Sequence, residues 1–384
     1  MRLHVDPLAP EAHTFHLEKK PLLESRCAAE LDRASGPNHA LPGQPVCTAQ
    51  DLRHLPVIAR KARDLRHLTV GRDLPFRNRA DDPRNSALQC LLGSQTAIVE
   101  GPMREFSGRV AVVTGAASGI GFALVEKFAA EGMKVVLADI EEPALLEAEQ
   151  KLQSGGAETL AVKTDVGRMS SVEALADAVY HRFGAVHILC NNAGVSGGVG
   201  PTWTLSQDDW KWTLGVNLWG VIHGARAFVP RMLAGKQEGH IVNTASIMGL
   251  VSMPMCSAYA ATKFAVTAVS ESLAMELAQL GAPIRVSVLC PAAVATRIVD
   301  SDRNRPRDLA ETGMGSEAAS HLKESIRAAI AAGYPPAHVA NEVFEAIRAE
   351  RFYILTHPET KAAVRARLEC VLDGSMPPPP QWNE

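Results

Sequence analysis

A short β-rich run, R-V-A-V-V (residues 109–113), leads without a break into T-G-A-A-S-G-I-G (114–121), and helical periodicity follows over 119–132. Few folds tolerate three glycines at this spacing between a strand and a helix. Gly115, Gly119 and Gly121 let the backbone turn sharply and approach a pyrophosphate at the helix N-terminus. The second strand-like run, K-V-V-L-A, ends at Asp139, where an acidic side chain can accept hydrogen bonds from an adenosine ribose. A carboxylate there would repel a 2′-phosphate, and neither Ile140 nor Glu141 supplies a cation to attract one. The expected cofactor is NAD, with NADP the weaker alternative.

The glycine turn opens a regular alternation. Strand-like runs recur at 134–138, 159–163, 186–190, 240–244, 284–289 and 352–356, with helical periodicity at 170–183, 217–233 and 257–280 between them. Alternation of this kind predicts βαβ units and a doubly wound parallel α/β sheet of about seven strands, covered by helices on both faces. Residues 1–102 read differently, being dense in Arg, His and Pro with little periodicity. They are expected to be a poorly ordered extension, with Met103 the true or a sufficient start for a domain over 103–373; the alternative is a small regulatory or partner-binding domain. Residues 374–384, with their run of prolines, read as a flexible tail. The net charge of −3 gives no electrostatic case for nucleic acid or an anionic membrane. The seven cysteines form no C-x-x-C pair and read as reduced thiols, and no apolar run reaches membrane-spanning length. The expected compartment is the cytoplasm, and no metal site is expected.

The segment S-A-Y-A-A-T-K-F (257–264) sets a phenol, Tyr259, four residues before an ammonium, Lys263. On a helix ending near Gly281, a plausible C′ glycine, the two share one face. A lysine so placed favours the phenolate and lowers the tyrosine's pKa from about 10. Alone the pair is also compatible with an ordinary surface helix.

Other motifs complete a pattern: N-N-A-G at 191–194, Thr164-Asp165-Val166 after the third strand, Asn217 in G-V-N-L-W-G, and Ser246 closing H-I-V-N-T-A-S. Together with the glycine turn and Y-A-A-T-K, they closely resemble the short-chain dehydrogenase/reductase family over residues 103–296, and more loosely to about 370. The resemblance implies a Rossmann fold and a homodimer or homotetramer. It implies that Tyr259 is the general acid/base, that Lys263 lowers its pKa and holds the nicotinamide ribose, and that Ser246 binds the substrate oxygen. Asn217 would anchor a proton-relaying water. Gly115, Ser118, Gly119, Ile120 and Gly121 would cradle the dinucleotide, Asp139 would hold its ribose, Asp165 and Val166 would flank the adenine, and Asn192 would line the groove. Val294 and Thr296 would meet the carboxamide and phosphates.

The family usually has Pro-Gly after the sixth strand, whereas this chain has Pro291-Ala292. Alanine disfavours positive φ, so the adjoining loop is expected to sit differently. The methionine-rich stretch between Ser246 and Tyr259 suits core or dimer packing. If it lines the pocket, the substrate is a hydrophobic secondary alcohol or ketone. Residues 300–335 resemble the family's mobile substrate lid. The rival readings are an NADP-dependent reductase of acyl-thioester ketones and a non-catalytic dinucleotide binder. Asp139 argues against the first, and the intact Ser246, Tyr259 and Lys263 against the second.

Overall fold

The computed structural model describes residues 103–309 and 317–380. The expected extension over 1–102, part of the expected lid and the last four residues lie outside the described residues. Seven strands form one sheet: β1 (Val110–Thr114), β2 (Lys134–Asp139), β3 (Thr159–Lys163), β4 (Ile188–Asn191), β5 (Gly239–Thr244), β6 (Ile284–Leu289) and β7 (Tyr353–Ile354). Their order is β3-β2-β1-β4-β5-β6-β7, and every neighbouring pair is parallel. Every residue of β1, β4 and β5 is buried. That is why β1 and β4 read as near-continuous apolar runs rather than as alternation, while β5 buries His240, Asn243 and Thr244 as well.

The helices are α1 (Gly119–Ala130), α2 (Glu142–Ser154), α3 (Met169–Phe183), α4 (Gln207–Leu214), α5 (Gly220–Gly235), α6 (Ser257–Gln279), α7 (Glu317–Ala331), α8 (Pro336–Arg348) and α9 (Thr360–Asp373). On one face, α1 and α8 cover the sheet through Leu124, Phe128, Val343 and Ile347, all fully buried. On the other, α3, α5 and α6 bury Leu175, Phe228 and Leu277. Leu280 caps α6 and Gly281 follows at φ +61°, as expected of a glycine placed just past a helix. Because β1 runs on to β2 in one direction and β4 lies on its other side, the chain reverses order between β1 and β4. Crevices at the carboxyl ends of strands, beside such a reversal, are where open α/β sheets bind ligands.

Candidate active site

The glycine turn forms the floor of this crevice. Gly115 has φ +67°, and a Cβ there would lie 2.8 Å from the Ala193 Cα. A Cβ on Gly121 would meet the Gly115 carbonyl at 2.0 Å. Only glycine fits either position. Ser118 stands at the N-terminus of α1 without a side-chain capping bond, and the first turn holds no acidic residue. The helix end therefore presents its N–H groups and positive dipole to an anion without internal competition. Thr296 closes over the turn, its Cγ2 3.0 Å from where a Gly119 Cβ would stand.

Asn192 ties the strand ends together. It donates from Nδ2 to the Thr114 carbonyl (3.0 Å) and accepts from the Thr244 hydroxyl (3.3 Å). Thr114 in turn accepts from the amides of Asn192 and Ala193. At the end of β2, Asp139 accepts from the amides of Ala117 and Glu141, both at 3.0 Å. Burial raises its pKa while these bonds pull it down. The Asp165 carboxylate accepts from the Gly167 amide at 3.0 Å, and buried Val166 is held through its carbonyl by His223 Nδ1 at 2.9 Å. Val294 is buried too and bridges Tyr334.

The reactive end lies at β5 and the first turns of α6. Ser246 ends the β5 run and donates to the Pro291 carbonyl (3.4 Å). Its hydroxyl also faces the Tyr259 phenol and acts to lower its pKa. Lys263, one turn on, is 2% exposed and donates to the Thr244 carbonyl at 2.9 Å. Its Nζ lies 5.5 Å from the Tyr259 ring centroid. The expected lowering of the phenol pKa by Lys263 is not found in this structure. Burial pushes Tyr259 up to about 12, and the nearby Ser246 hydroxyl opposes that rise. Burial also draws Lys263 down to about 8, and its ammonium is committed to a carbonyl rather than to the phenol.

Asn217 belongs to a π-helical turn (Gly215–Trp219) between α4 and α5, a distortion that often marks functional positions. Its amide accepts from Val195 N at 2.8 Å and donates to the Val195 carbonyl and the Thr262 hydroxyl. Gly194 passes beside both groups, since a Cβ there would lie 3.4 Å from the Asn217 Oδ1 and 3.6 Å from the Lys263 Nζ. Thr244, Thr114, Thr262 and His223 are supporting residues that sequence reading missed. Each acts through hydrogen bonds to residues distant in the chain, and threonines and histidines carry no motif of their own.

Ala292 takes the place of the usual glycine without strain. The non-glycine residues with positive φ among those described are Lys236, Met255 and Glu350, and Ala292 is not one of them. Its methyl packs, together with Tyr259, against a cluster of Ile247, Met248, Val251 and Cys256. Leu322 and Ile326 of α7 and Val364 of α9 join the same cluster. Among the described residues no His, Cys, Asp and Glu group could hold a metal ion, and no helix is long and apolar enough to cross a membrane.

A cradle shaped for a pyrophosphate, running toward a facing hydroxyl and phenol with a buried ammonium beside them, is the equipment of an oxidoreductase that uses a dinucleotide. The comparisons agree. The family description "short chain dehydrogenase" matches residues 109–307. A 1-deoxy-11-beta-hydroxypentalenate dehydrogenase from Streptomyces exfoliatus is 37% identical over 72% of this chain and 93% of its own length. A CLA biosynthesis dehydrogenase/reductase from Lactiplantibacillus plantarum is 34% identical over 72% of this chain and 97% of its own. The crystal structure of a short chain dehydrogenase/reductase from Burkholderia phymatum, in complex with NAD, is similar with a TM-score of 0.71. It is 45% identical and covers 73% of this chain and 100% of its own. The chain belongs to the short-chain dehydrogenase/reductase family and is an oxidoreductase acting on CH–OH groups.

Proposed function

We propose that the protein interconverts a hydrophobic secondary alcohol and its ketone with NAD, and that Tyr259 is its general acid/base. The observation that carries this reading is the convergence of three groups at the reactive end of the glycine cradle: Lys263 Nζ lies 5.5 Å from the Tyr259 ring centroid, and Ser246 faces the phenol and acts to lower its pKa. Bound NAD would take up or supply the hydride. Ser246 holds the substrate oxygen beside the phenol, and Tyr259 moves that oxygen's proton. The phenol, protonated with its pKa near 12, is set to donate toward a carbonyl. Removing a proton from an alcohol requires the positive charge of Lys263 to act on it.

The cofactor assignment follows from fit. The open N-terminus of α1, the glycine positions that admit no side chain, and the Asp139 carboxylate suit a pyrophosphate and an unphosphorylated ribose. Asp165 and Val166 would flank the adenine, Asn192 would line the groove, Lys263 would hold the second ribose, and Val294 and Thr296 would meet the carboxamide and phosphates. Asn217 supports the proton path through Lys263. The substrate assignment follows from the apolar residues packed around Tyr259, which include Met248, Met253, Leu322 and Leu355. Assembly as a homodimer or homotetramer and a cytoplasmic location belong to the same reading.

A panel of secondary alcohols scanned for NADH absorbance tests it. With an accepted alcohol, Tyr259→Phe should lower kcat by roughly 10²–10⁴ and leave NAD affinity little changed. Near-full activity in the Phe variant would refute the assignment of Tyr259.

A further inference from the structure

The segment Pro291–Thr296 connects the two ends of the site. At one end the Pro291 carbonyl accepts from the Ile247 amide at 2.8 Å and from the Ser246 hydroxyl at 3.4 Å. Ala292 then packs in the Tyr259 cluster, and at the far end Thr296 lies against Gly119. No glycine gives this segment a shape of its own. Its shape is imposed from outside, by a residue from the end of the domain.

That residue is His357, which is 5% exposed and lies just after β7. Its Nδ1 accepts from the Ala292 amide at 3.3 Å, and its Nε2 donates to the Ala293 carbonyl at 2.9 Å. The partners fix the tautomer. Nε2 faces a carbonyl and must carry the proton, while Nδ1 faces an N–H and must be bare. The Thr356 hydroxyl lies 2.8 Å from Nδ1, and the His357 carbonyl accepts from the Thr360 hydroxyl at 2.6 Å, anchoring the residue to the start of α9. Tyr334 stacks on the imidazole with centroids 4.4 Å apart and an interplanar angle of 15°. Its backbone adds a second tie, Tyr334 N to the Ala293 carbonyl at 3.0 Å and Ala295 N to the Tyr334 carbonyl at 2.9 Å. Gly333 makes this approach possible, since a Cβ there would stand 2.3 Å from the Ala293 oxygen.

We propose that His357 is a positioning residue of the active site, holding the Pro291–Val294 peptides against Ser246 and Tyr259 and so shaping the nicotinamide end of the groove. It does not touch the reacting atoms. This inference rests on the reading that the site binds NAD. A capping histidine with a purely structural role would make the same bonds, so the test must separate the two ends of the dinucleotide.

NADH and ADP-ribose, which lacks the nicotinamide, are titrated into the full chain by calorimetry. His357→Phe keeps a ring under Tyr334 and removes both hydrogen bonds to the loop. It should weaken NADH about tenfold, the size expected when buried peptide groups lose a partner, and change ADP-ribose by less than about twofold. His357→Gln, whose amide can still donate to the Ala293 carbonyl, should recover part of the loss. If the Phe variant does not fold, the Gln variant carries the test and should lose about threefold on NADH alone. Equal losses for both ligands, or none for NADH, would overturn the positioning role and leave the NAD reading standing. A wild-type protein that fails to bind NADH would overturn both.

Discussion

Asp139 shows how much one side chain can decide. Two backbone amides already bind its carboxylate, one from the glycine turn and one from the start of the next loop. Each oxygen keeps a lone pair, so ribose hydroxyls can be accepted without breaking either bond. A 2′-phosphate would bring a dianion against this carboxylate, and the Arg303 guanidinium beside Glu141 is already committed. Arg303 reaches Glu141 from the far side of the crevice at 2.6 Å, and Asn304 binds the same carboxylate oxygen at 2.8 Å. The wild type should therefore be more efficient with NAD than with NADP. Ile140 is 40% exposed, so an arginine can stand there without being buried. Asp139→Ser combined with Ile140→Arg should shift the ratio of kcat/KM values toward NADP by about tenfold or more, by removing repulsion and adding a bidentate phosphate partner. Steady-state kinetics with both cofactors checks this, and a wild type that prefers NADP defeats the premise.

Among the elements, the short 3₁₀ helix Ile298–Asn304 binds the most distant parts of the chain together. Asp300 pairs with Arg327 and Asp302 with Lys323, both on α7, while Ser301 bonds Ser196 beyond β4. Arg303 and Asn304 hold Glu141 after β2. Arg305 follows at once and meets Asp209 of α4 at 2.7 Å, with side chains 6% and 4% exposed. Removing one member of a buried pair strands the other charge. Arg305→Met should thus cost about 3 kcal/mol in urea unfolding, and Asp209→Asn in the same background should add less than it does alone. Additive losses would mean that the two do not act as a pair. None of this was legible in the sequence, where residues 300–335 look only like a charged lid, because each partner is far away along the chain. The strands were legible for the opposite reason. Runs such as 110–113 announce themselves locally, because a strand buried between helices must be apolar, whereas the half-buried β3 carries a threonine and a lysine at its ends. The glycine turn, Ser246, Tyr259 and Lys263 were legible because their chemistry restricts residue type at fixed spacing. The expected effect of Lys263 on Tyr259 was not. It depends on where an ammonium points, and here it points at the Thr244 carbonyl.

The whole molecule depends on histidines that must stay neutral. His240 in β5 is 2% exposed and lies 2.7 Å from the Ser287 hydroxyl, and burial draws its pKa down to about 3. His187 accepts from the Val110 amide through Nδ1 at 3.1 Å, and its pKa is lowered first by burial and then by Arg109. His357 is lowered too, mainly by burial. The unfolded chain binds these protons near pH 6.5, whereas the folded chain binds them only at lower pH. Stability is then fully present above about pH 6.5 and falls as the solution is acidified toward the folded values, by at most about 1.4 kcal/mol per pH unit for each histidine. Carboxylates whose pKa is lowered, such as Glu141 beside Arg303, act in the same direction but begin only near their ordinary value of about 4.3, so the decline above pH 5 belongs to the histidines. Urea unfolding from pH 8 to pH 5 should show a plateau down to about pH 7 and then a decline steeper than one proton can produce. His240→Gln should be less stable at pH 8, having lost a fitted buried ring, yet show a shallower decline in acid. A wild-type stability that is flat from pH 7.5 to pH 5 would mean that these imidazoles already carry their protons in the folded state, and the hydrogen-bond roles assigned to His187 and His357 would fail with it.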